Sequence, residues 1–154
     1  VNSIDQASSL LKINTDLFSS KLEEENKFYY PQDIIDRLSK IDKVVKVKVY
    51  NLGDLIKKYF KEEIIDFIKI DAEGKDLDIC KSLGENLKRI KYIGLECSSH
   101  ENHDLKIFEN GCSKKEAVDF FKDNNFELFS CMDYSKNPEN LTQMSDLVFR
   151  NLNF

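Results

Sequence analysis

Apolar residues recur along the chain with two periods, and the shorter period predicts strands. Valines alternate with lysines over residues 45–49, which is the pattern of a half-buried strand. Residues 64–70 are apolar on both faces except at Asp66 and Lys69, so this run predicts a strand in the middle of a parallel sheet. Further strands are predicted over residues 90–97, 126–131 and 146–149, the last two separated by a long loop over residues 132–145.

The longer period, near 3.6 residues, predicts amphipathic helices between these strands. Asn51 is placed to cap one helix, and Ser113 with Glu116 forms a capping box at the start of another. Gly84 is expected to end a third helix, because glycine adopts the backbone conformation that helix ends often require. The helices predicted in this way cover residues 31–41, 52–60, 75–83 and 113–124.

The order of these elements predicts the fold class. Strands and helices alternate from Pro31 onward, which is typical of an α/β fold with a mostly parallel sheet and right-handed crossovers. With 154 residues and no internal repeat, the chain is expected to form a single domain over residues 1–154. Residues 1–30, with scattered Ser and Asn, are expected to be an irregular lead-in.

Composition and charge narrow the class of partner. The 28 acidic and 23 basic residues are intermixed, whereas a nucleic-acid-binding surface needs clustered Lys and Arg. Nucleic acid is therefore not expected as a partner. No apolar run is long enough to span a membrane, and no signal peptide pattern is present. The four cysteines form no C-x-x-C pair, so no disulfide framework is expected and a cytoplasmic location is favoured.

Candidate chemistry lies where two predicted strands end. In open α/β sheets, ligands bind beyond the carboxyl ends of the strands. Asp71 and Glu73 follow one strand, and Glu96 closes the next, so the three carboxylates are expected to share one crevice, where they can share a proton or a cation. Gly74 permits the sharp turn from strand to helix and leaves room for a ligand.

A purely structural explanation of the same residues stays open. Asp71 or Glu73 can cap the helix that follows, where a carboxylate is favoured by the exposed amides. Lys69, inside the predicted strand, must reach solvent or pair with an acid, because an unpaired buried ammonium group is costly.

The same segment carries a family resemblance. Residues 65–79 resemble the hallmark segment of FkbM-type methyltransferases, in which an apolar strand and the motif K-I-D-V-E-G-A-E-L precede a helix. This chain has Ala72, Lys75 and Asp76 where that motif has valine, alanine and the second glutamate.

The flanking segments are similar to the family as well. Residues 47–55 resemble its preceding strand and T-L-D-x-L helix start, with Gly53 in place of the acid. Residues 90–96 resemble the next strand, which ends in a glutamate, and residues 7–11 resemble a short Ser-rich element. The resemblance covers most of the chain in the family's order.

The resemblance implies a Rossmann-like class I methyltransferase that uses S-adenosylmethionine as the methyl donor. The acceptor would be a hydroxyl group on a sugar, glycan or secondary metabolite. Asp71 or Glu96 would be the base or would orient the acceptor, and Glu73 would serve the same crevice or hold Lys69. The catalytic residues expected from the resemblance are therefore Asp71, Glu73 and Glu96.

The cofactor-binding motifs expected for this class are not found in the sequence. The five glycines are far apart and form no G-x-G turn, and the first residue is Val1 rather than Met. We therefore expect the C-terminal half of the fold, without its cofactor-binding strands and with a bare sheet edge that favours self-association. The alternative is a non-catalytic interaction module that keeps the fold without a cofactor site.

Cysteine and histidine residues form a second group. Cys97, His100, His103 and Cys112 lie within sixteen residues and are ligand types that suit Zn²⁺, although their spacing matches no familiar zinc site. No metal is expected there. One alternative is that His100 or His103 acts as a catalytic base, and the other is that both are ordinary loop residues. Mg²⁺ held by the three carboxylates is a further alternative.

Overall fold

The protein is described here by a computed structural model, which covers residues 9–14, 36, 40, 43–99, 101, 106–136 and 142–154. Its elements, in chain order, are α1 (Leu52–Phe60), β1 (Ile65–Lys69), α2 (Asp76–Ser82), a 3₁₀ helix (Gly84–Arg89), β2 (Ile90–Ser98), α3 (Lys114–Asp123), β3 (Phe126–Lys136) and β4 (Thr142–Asn151).

The four described strands form one sheet in the order β1-β2-β4-β3. β1 pairs with β2 in parallel, whereas β4 pairs antiparallel with both β2 and β3. β1, β2 and β3 therefore run in one direction, and β4 runs against them. The α/β class is confirmed, but the expected mostly parallel sheet is not, because only the β1–β2 pairing is parallel in the described part of the chain.

A short connection explains the antiparallel strand. Only residues 137–141 separate β3 from β4, and a parallel connection needs about a dozen residues or more. β4 must therefore return directly beside β3. The two strands are also longer than predicted, since residues 132–136 and 142–145, expected to lie in a loop, belong to the hairpin.

β1 lies at the edge of the sheet, which corrects the prediction that it is a central strand buried on both sides. Among the described residues its single strand neighbour is β2, and Phe67 at its centre is 51% exposed. The strand predicted over residues 45–49 is also wrong, because residues 43–50 have no regular structure and are exposed. A strand with one apolar face needs a neighbour and a covering layer, and no described element supplies either to this segment.

The predicted helix boundaries are largely confirmed by their caps. The Asn51 side chain accepts a hydrogen bond from the Asp54 amide, and Ser113 and Glu116 form both bonds of the capping box. Gly84 has a φ of +54° at the end of α2, as expected of a helix stop. Of the helix predicted over residues 31–41, the structure describes only residues 36 and 40, and residue 36 is helical.

One face of the sheet carries the core. α2 and α3 cover this face, where Leu95, Leu147 and Phe121 are fully buried. The rings of Phe121 and Phe149 stack with their centroids 4.1 Å apart. These contacts fix α3 against the centre of the sheet and so fix the loop that leads into it.

The opposite face of the sheet is open among the described residues. Its aromatic side chains contact one another rather than a covering helix, with the Tyr92 and Phe129 rings 5.5 Å apart. Arg150 lies over Phe129 and is paired with Glu127. Among the described residues, no helix is long and apolar enough to cross a bilayer.

The predicted lead-in is described only over residues 9–14. Ile13 forms an antiparallel bridge with Phe108, flanked by hydrogen bonds from the Asn14 amide to the Ile107 carbonyl and from the Glu109 amide to the Lys12 carbonyl. This segment is therefore joined to the loop before α3 and lies beside the turn that follows β1.

Candidate active site

The structure brings the three predicted carboxylates together at the carboxyl ends of β1 and β2. Lys69 is paired with Gly94 across the two parallel strands, and the Ile70 amide extends this ladder to the Gly94 carbonyl at 2.8 Å. Asp71 and Glu96, each two residues further on, therefore lie at the same level of the sheet. The charges of Asp71 and Glu73 are both among the causes that raise the pKa of Glu96.

Glu96 has the most altered carboxyl group of the cluster. Burial, followed by the charges of Asp71, Glu73, Asp146 and Asp76, raises the pKa of Glu96 to about 7. Its side chain is half-buried, and the next two residues of β2, Cys97 and Ser98, are buried. A carboxyl group with this pKa exchanges its proton near neutral pH, which is the property required of a general base.

Lys69 finds its acidic partner on β4, not in the turn after β1. Its Nζ donates to Asp146, the residue paired with Glu96 across β2 and β4. Burial lowers the pKa of Lys69, but the hydrogen bond and charge of Asp146 outweigh it and raise the value. Glu73 is therefore not the residue that holds Lys69. Nothing in the sequence indicates that Asp146 is the partner of Lys69 beyond its position in a predicted strand.

Asp76 was treated in the sequence only as a mild departure from a family motif, and the structure shows that it organises the site. Its carboxylate is fully buried and accepts hydrogen bonds from the amides of Ala72 at 3.3 Å, Gly74 at 3.1 Å and Glu96 at 3.4 Å. Burial raises the pKa of Asp76, while these amide hydrogen bonds oppose that rise. One side chain thus ties the turn after β1 to the end of β2.

The turn between β1 and α2 is strained and supported from outside. Glu73 has a φ of +50° and Gly74 a φ of +94°, both in the left-handed region. The Ser9 hydroxyl donates to the Glu73 carbonyl at 2.6 Å. A side chain at position 74 would stand 2.9 Å from Leu11 and from Phe108, so only glycine fits.

Helix capping does not explain Asp71 or Glu73. The N-cap residue of α2 is Lys75, and no side chain caps that end. Asp71 is exposed, while burial, followed by the charges of Asp71 and Asp76, raises the pKa of Glu73. The two carboxylates are thus available to a ligand, and the predicted roles of both stay predictions.

A second polar network lies at the same end of the sheet as the carboxylates and was missed in the sequence because residues 132–145 were expected to be a loop. The hydroxyls of Ser99 and Ser145 are 2.8 Å apart, and Ser145 donates to Asp133 at 2.6 Å. Hydrogen bonds from Ser145, then Cys131 and Lys114, lower the pKa of Asp133. Ser145 is paired with Cys97 and Asp146 with Glu96, so the alternation of side chains along β4 places this network on the face of the sheet that α3 covers, opposite to Glu96.

The cysteine and histidine group is only partly described. Cys97 and Cys112 are brought together, with their Sγ atoms 3.1 Å apart, whereas His100 and His103 lie outside the described residues. In the described part of the chain, no group of three or more His, Cys, Asp or Glu side chains is arranged to hold a metal ion.

One cavity among the described residues lies away from the carboxylates. A cavity of about 680 Å³ lies at the opposite ends of β2 and β3, lined by residues such as Glu85, Lys88 and Asn153. At the carboxylates themselves, the exposed edge of β1 leaves the crevice open on one side. The crevice is therefore open to solvent along β1, and the described residues around it do not enclose a ligand as large as S-adenosylmethionine.

Comparison with known proteins gives one match. A family model described as the methyltransferase FkbM domain matches residues 4–128. The match spans β1, α2, β2 and α3 and reaches into β3, so it contains all the carboxylates of the site except Asp146. No curated protein and no solved structure matches the chain.

The role of Asp76 leads to a stability prediction. Asp76→Ala leaves three amides without their acceptor, and we expect a loss of about 2–4 kcal/mol in the free energy of unfolding, measured by urea denaturation. Asp78→Ala is the matched control, because Asp78 is an exposed acid on the same helix, and its loss should stay within about 0.5 kcal/mol. Equal losses in the two variants would contradict the organising role of Asp76.

The raised pKa of Glu96 leads to a prediction of pH dependence. The unfolded chain releases this proton from pH 4.5 upward and the folded chain only near pH 7, so the carboxyl lowers stability as the pH rises through that interval. We expect Glu96→Gln to be more stable than the natural chain by about 2 kcal/mol at pH 8, with no difference at pH 4.5.

Urea denaturation at both pH values measures this effect. Glu62→Gln, which removes an exposed acid away from the strand ends, is the control and should show no such pH dependence. A Glu96→Gln variant whose stability follows that of the natural chain at both pH values would show that the carboxyl group is not perturbed.

Proposed function

The chain belongs to the FkbM methyltransferase family, and on that premise we propose that it is the acceptor side of an S-adenosylmethionine-dependent methyltransferase that acts on a hydroxyl group. The acceptor would be a sugar, a glycan or a secondary metabolite. The observation that carries the proposal is the half-buried Glu96 carboxyl with a pKa of about 7 at the carboxyl end of β2.

Glu96 would accept the proton of the acceptor hydroxyl. A general base works best when its pKa is close to the working pH, and Glu96 is the described carboxyl of the site that meets this condition. A hydroxyl within hydrogen-bond distance of Glu96 would pass its proton to a carboxylate oxygen as the oxygen becomes the nucleophile. Removal of that proton raises the nucleophilicity of the acceptor oxygen.

The neighbouring side chains would hold the acceptor and set the charge of the site. Asp71 is exposed beside Glu96, so its carboxylate can accept a hydrogen bond from a second hydroxyl of a sugar-like acceptor. Lys69 is fixed by Asp146 and also lies within the field of Asp71 and Glu96, where it limits the excess of negative charge. Glu73, in its strained turn, faces the same group of acids.

The methyl donor requires groups that this chain does not supply. S-adenosylmethionine provides the methyl group when bound, but the 154 residues contain no glycine-rich turn of the kind that binds it. The exposed edge of β1 supports a continuation of the sheet by strands from outside the described residues. We propose that a Rossmann-like sheet is completed there by a cofactor-binding half, which a longer polypeptide or another subunit would supply.

A non-catalytic module is the second candidate. The missing glycine-rich turn favours it, because a chain without a cofactor site cannot transfer a methyl group by itself. The carboxylate cluster speaks against it, since four neighbouring acids raise the pKa of Glu96 at a cost in stability that a binding module does not need. The acidic net charge and the intermixed bases further support a small or glycan acceptor over a nucleic acid, and the lack of a disulfide pattern among the cysteines supports a cytoplasmic location.

Titration calorimetry with S-adenosylhomocysteine tests the proposal in two steps. We expect the folded chain alone to show no saturable binding in the micromolar range. A chimera that carries the cofactor-binding half of an FkbM-family methyltransferase ahead of this chain should bind. Binding by the chain alone would overturn the incomplete cofactor site, and a folded chimera that does not bind would favour the non-catalytic module.

Methyl transfer by the chimera to a panel of sugars and phenols then tests Glu96. Glu96→Gln should bind S-adenosylhomocysteine normally but transfer methyl groups about 100-fold more slowly or worse, as expected for loss of a general base. Glu62→Gln should keep full activity. A Glu96→Gln chimera that retains the natural rate would contradict the assignment of Glu96 as the base.

A further inference from the structure

Two cysteines lie side by side next to the candidate active site. Cys97 is in β2, and Cys112 lies in the loop that enters α3, with the two Sγ atoms 3.1 Å apart. The Ser98 amide donates to the Cys112 carbonyl at 3.1 Å, and Ser98 and Ser113 form a parallel bridge. Neighbouring parallel segments lie about 4.8 Å apart, which is within the Cα separation that a disulfide requires.

The loop that carries Cys112 is held in place. The buried Lys106 donates from Nζ to the Gly111 carbonyl at 2.9 Å and to Glu116 at 3.0 Å. Gly111 is the residue before Cys112, and Glu116 closes the capping box of α3. The position of the Cys112 backbone against β2 is therefore set by the fold, and it cannot shift without disturbing the Lys106 contacts.

The two thiols differ in access. Cys97 is 2% exposed, whereas Cys112 is half-buried and lines a cavity of about 120 Å³ together with Gly74, Lys81 and Glu116. A hydroperoxide as small as hydrogen peroxide fits such a cavity, whose polar wall suits it. The contact with Cys112 and burial raise the pKa of the Cys97 thiol, so Cys97 is the less reactive of the two towards solvent.

We propose that Cys97 and Cys112 are a modification site, where a hydroperoxide converts the two thiols into a reversible disulfide. The Cys112 thiolate attacks one peroxide oxygen, the O–O bond breaks, and the products are a sulfenic acid and hydroxide. The Cys97 sulfur then attacks the Cys112 sulfur and displaces a second hydroxide. The two thiol protons convert both hydroxides to water, so one peroxide is reduced and two thiols are oxidised.

The proposed Cys97–Cys112 disulfide is reversible, unlike a structural disulfide, and it would lie beside the backbone of Glu96. Both thiols are free in the structure described here, and a disulfide in a reducing compartment forms and is reduced again. Cys97 follows Glu96 directly, and the Cys112 thiol also lies 3.8 Å from the Glu96 carbonyl. Oxidation would therefore restrain the backbone that carries Glu96. Any effect of this restraint on methyl transfer rests on the proposed function of Glu96.

Mass spectrometry of the whole chain after brief treatment with hydrogen peroxide tests the pairing. We expect the mass to fall by two hydrogens and peptide mapping to place the crosslink between Cys97 and Cys112, with full reversal by a thiol reductant. Cys97→Ser and Cys112→Ser should each abolish the crosslink. Cys131→Ser is the matched control and should keep it, because Cys131 is exposed on β3 and contacts Lys114 rather than another cysteine.

Two further readouts keep the test decisive where a variant fails to fold. In urea, the natural chain should lose its preference for the 97–112 pair, since the proximity belongs to the folded state. Oxidation should raise the midpoint of thermal unfolding by about 5 °C or more, because the bond closes a loop of about 15 residues. Sulfinic acid at Cys112 without a crosslink, or a crosslink from Cys112 to the buried Cys80, would overturn the proposal.

Discussion

The buried carboxylate of Asp76 is the interaction on which the rest of the site depends. It accepts hydrogen bonds from amides on both sides of the crevice, in the turn after β1 and at the end of β2. That turn contains two consecutive residues with positive φ, which is an unfavourable conformation for Glu73. The carboxylate stabilises the strained turn and so sets where Asp71, Glu73 and Glu96 stand relative to one another.

The sequence predicts the local structure and the clustering of the three carboxylates, but it does not predict the arrangement of the strands. The caps at Asn51 and Ser113 and the strand over residues 90–97 depend on neighbours in the chain, and the structure confirms them. The position of β4 between β2 and β3 depends on pairing over long separations, which periodicity does not encode. For that reason Asp146, the partner of Lys69, was not recognised.

Packing against other segments was also not predicted from the sequence. Residues 45–49 have the alternation of a strand, yet the described part of the chain offers them no neighbour. The same holds for β1, whose apolar pattern is that of a central strand although it lies at an edge. In both cases, the amino-acid pattern indicates a sheet with more strands than the described residues form.

Under the proposed function, the acids of the site would lower the stability of the fold for the sake of catalysis. Four acids around Glu96 raise the free energy of its ionised form, and Lys69 with Asp146 relieves only part of that cost. A chain selected for stability alone would replace one of the acids with a neutral side chain. Retaining all of them is consistent with a site in which a proton must be taken up near neutral pH.

The placement of β4 has a consequence for folding during synthesis. β4 is the last strand in the chain but lies inside the sheet, where it joins β2 to β3. Until residue 151 has left the ribosome, β2 has an unpaired edge and Leu95 lacks the cover that Leu147 gives it in the finished core. From the completion of β2 until the completion of β4, the nascent chain therefore exposes an apolar strand edge, and in that interval it would be a substrate for chaperones.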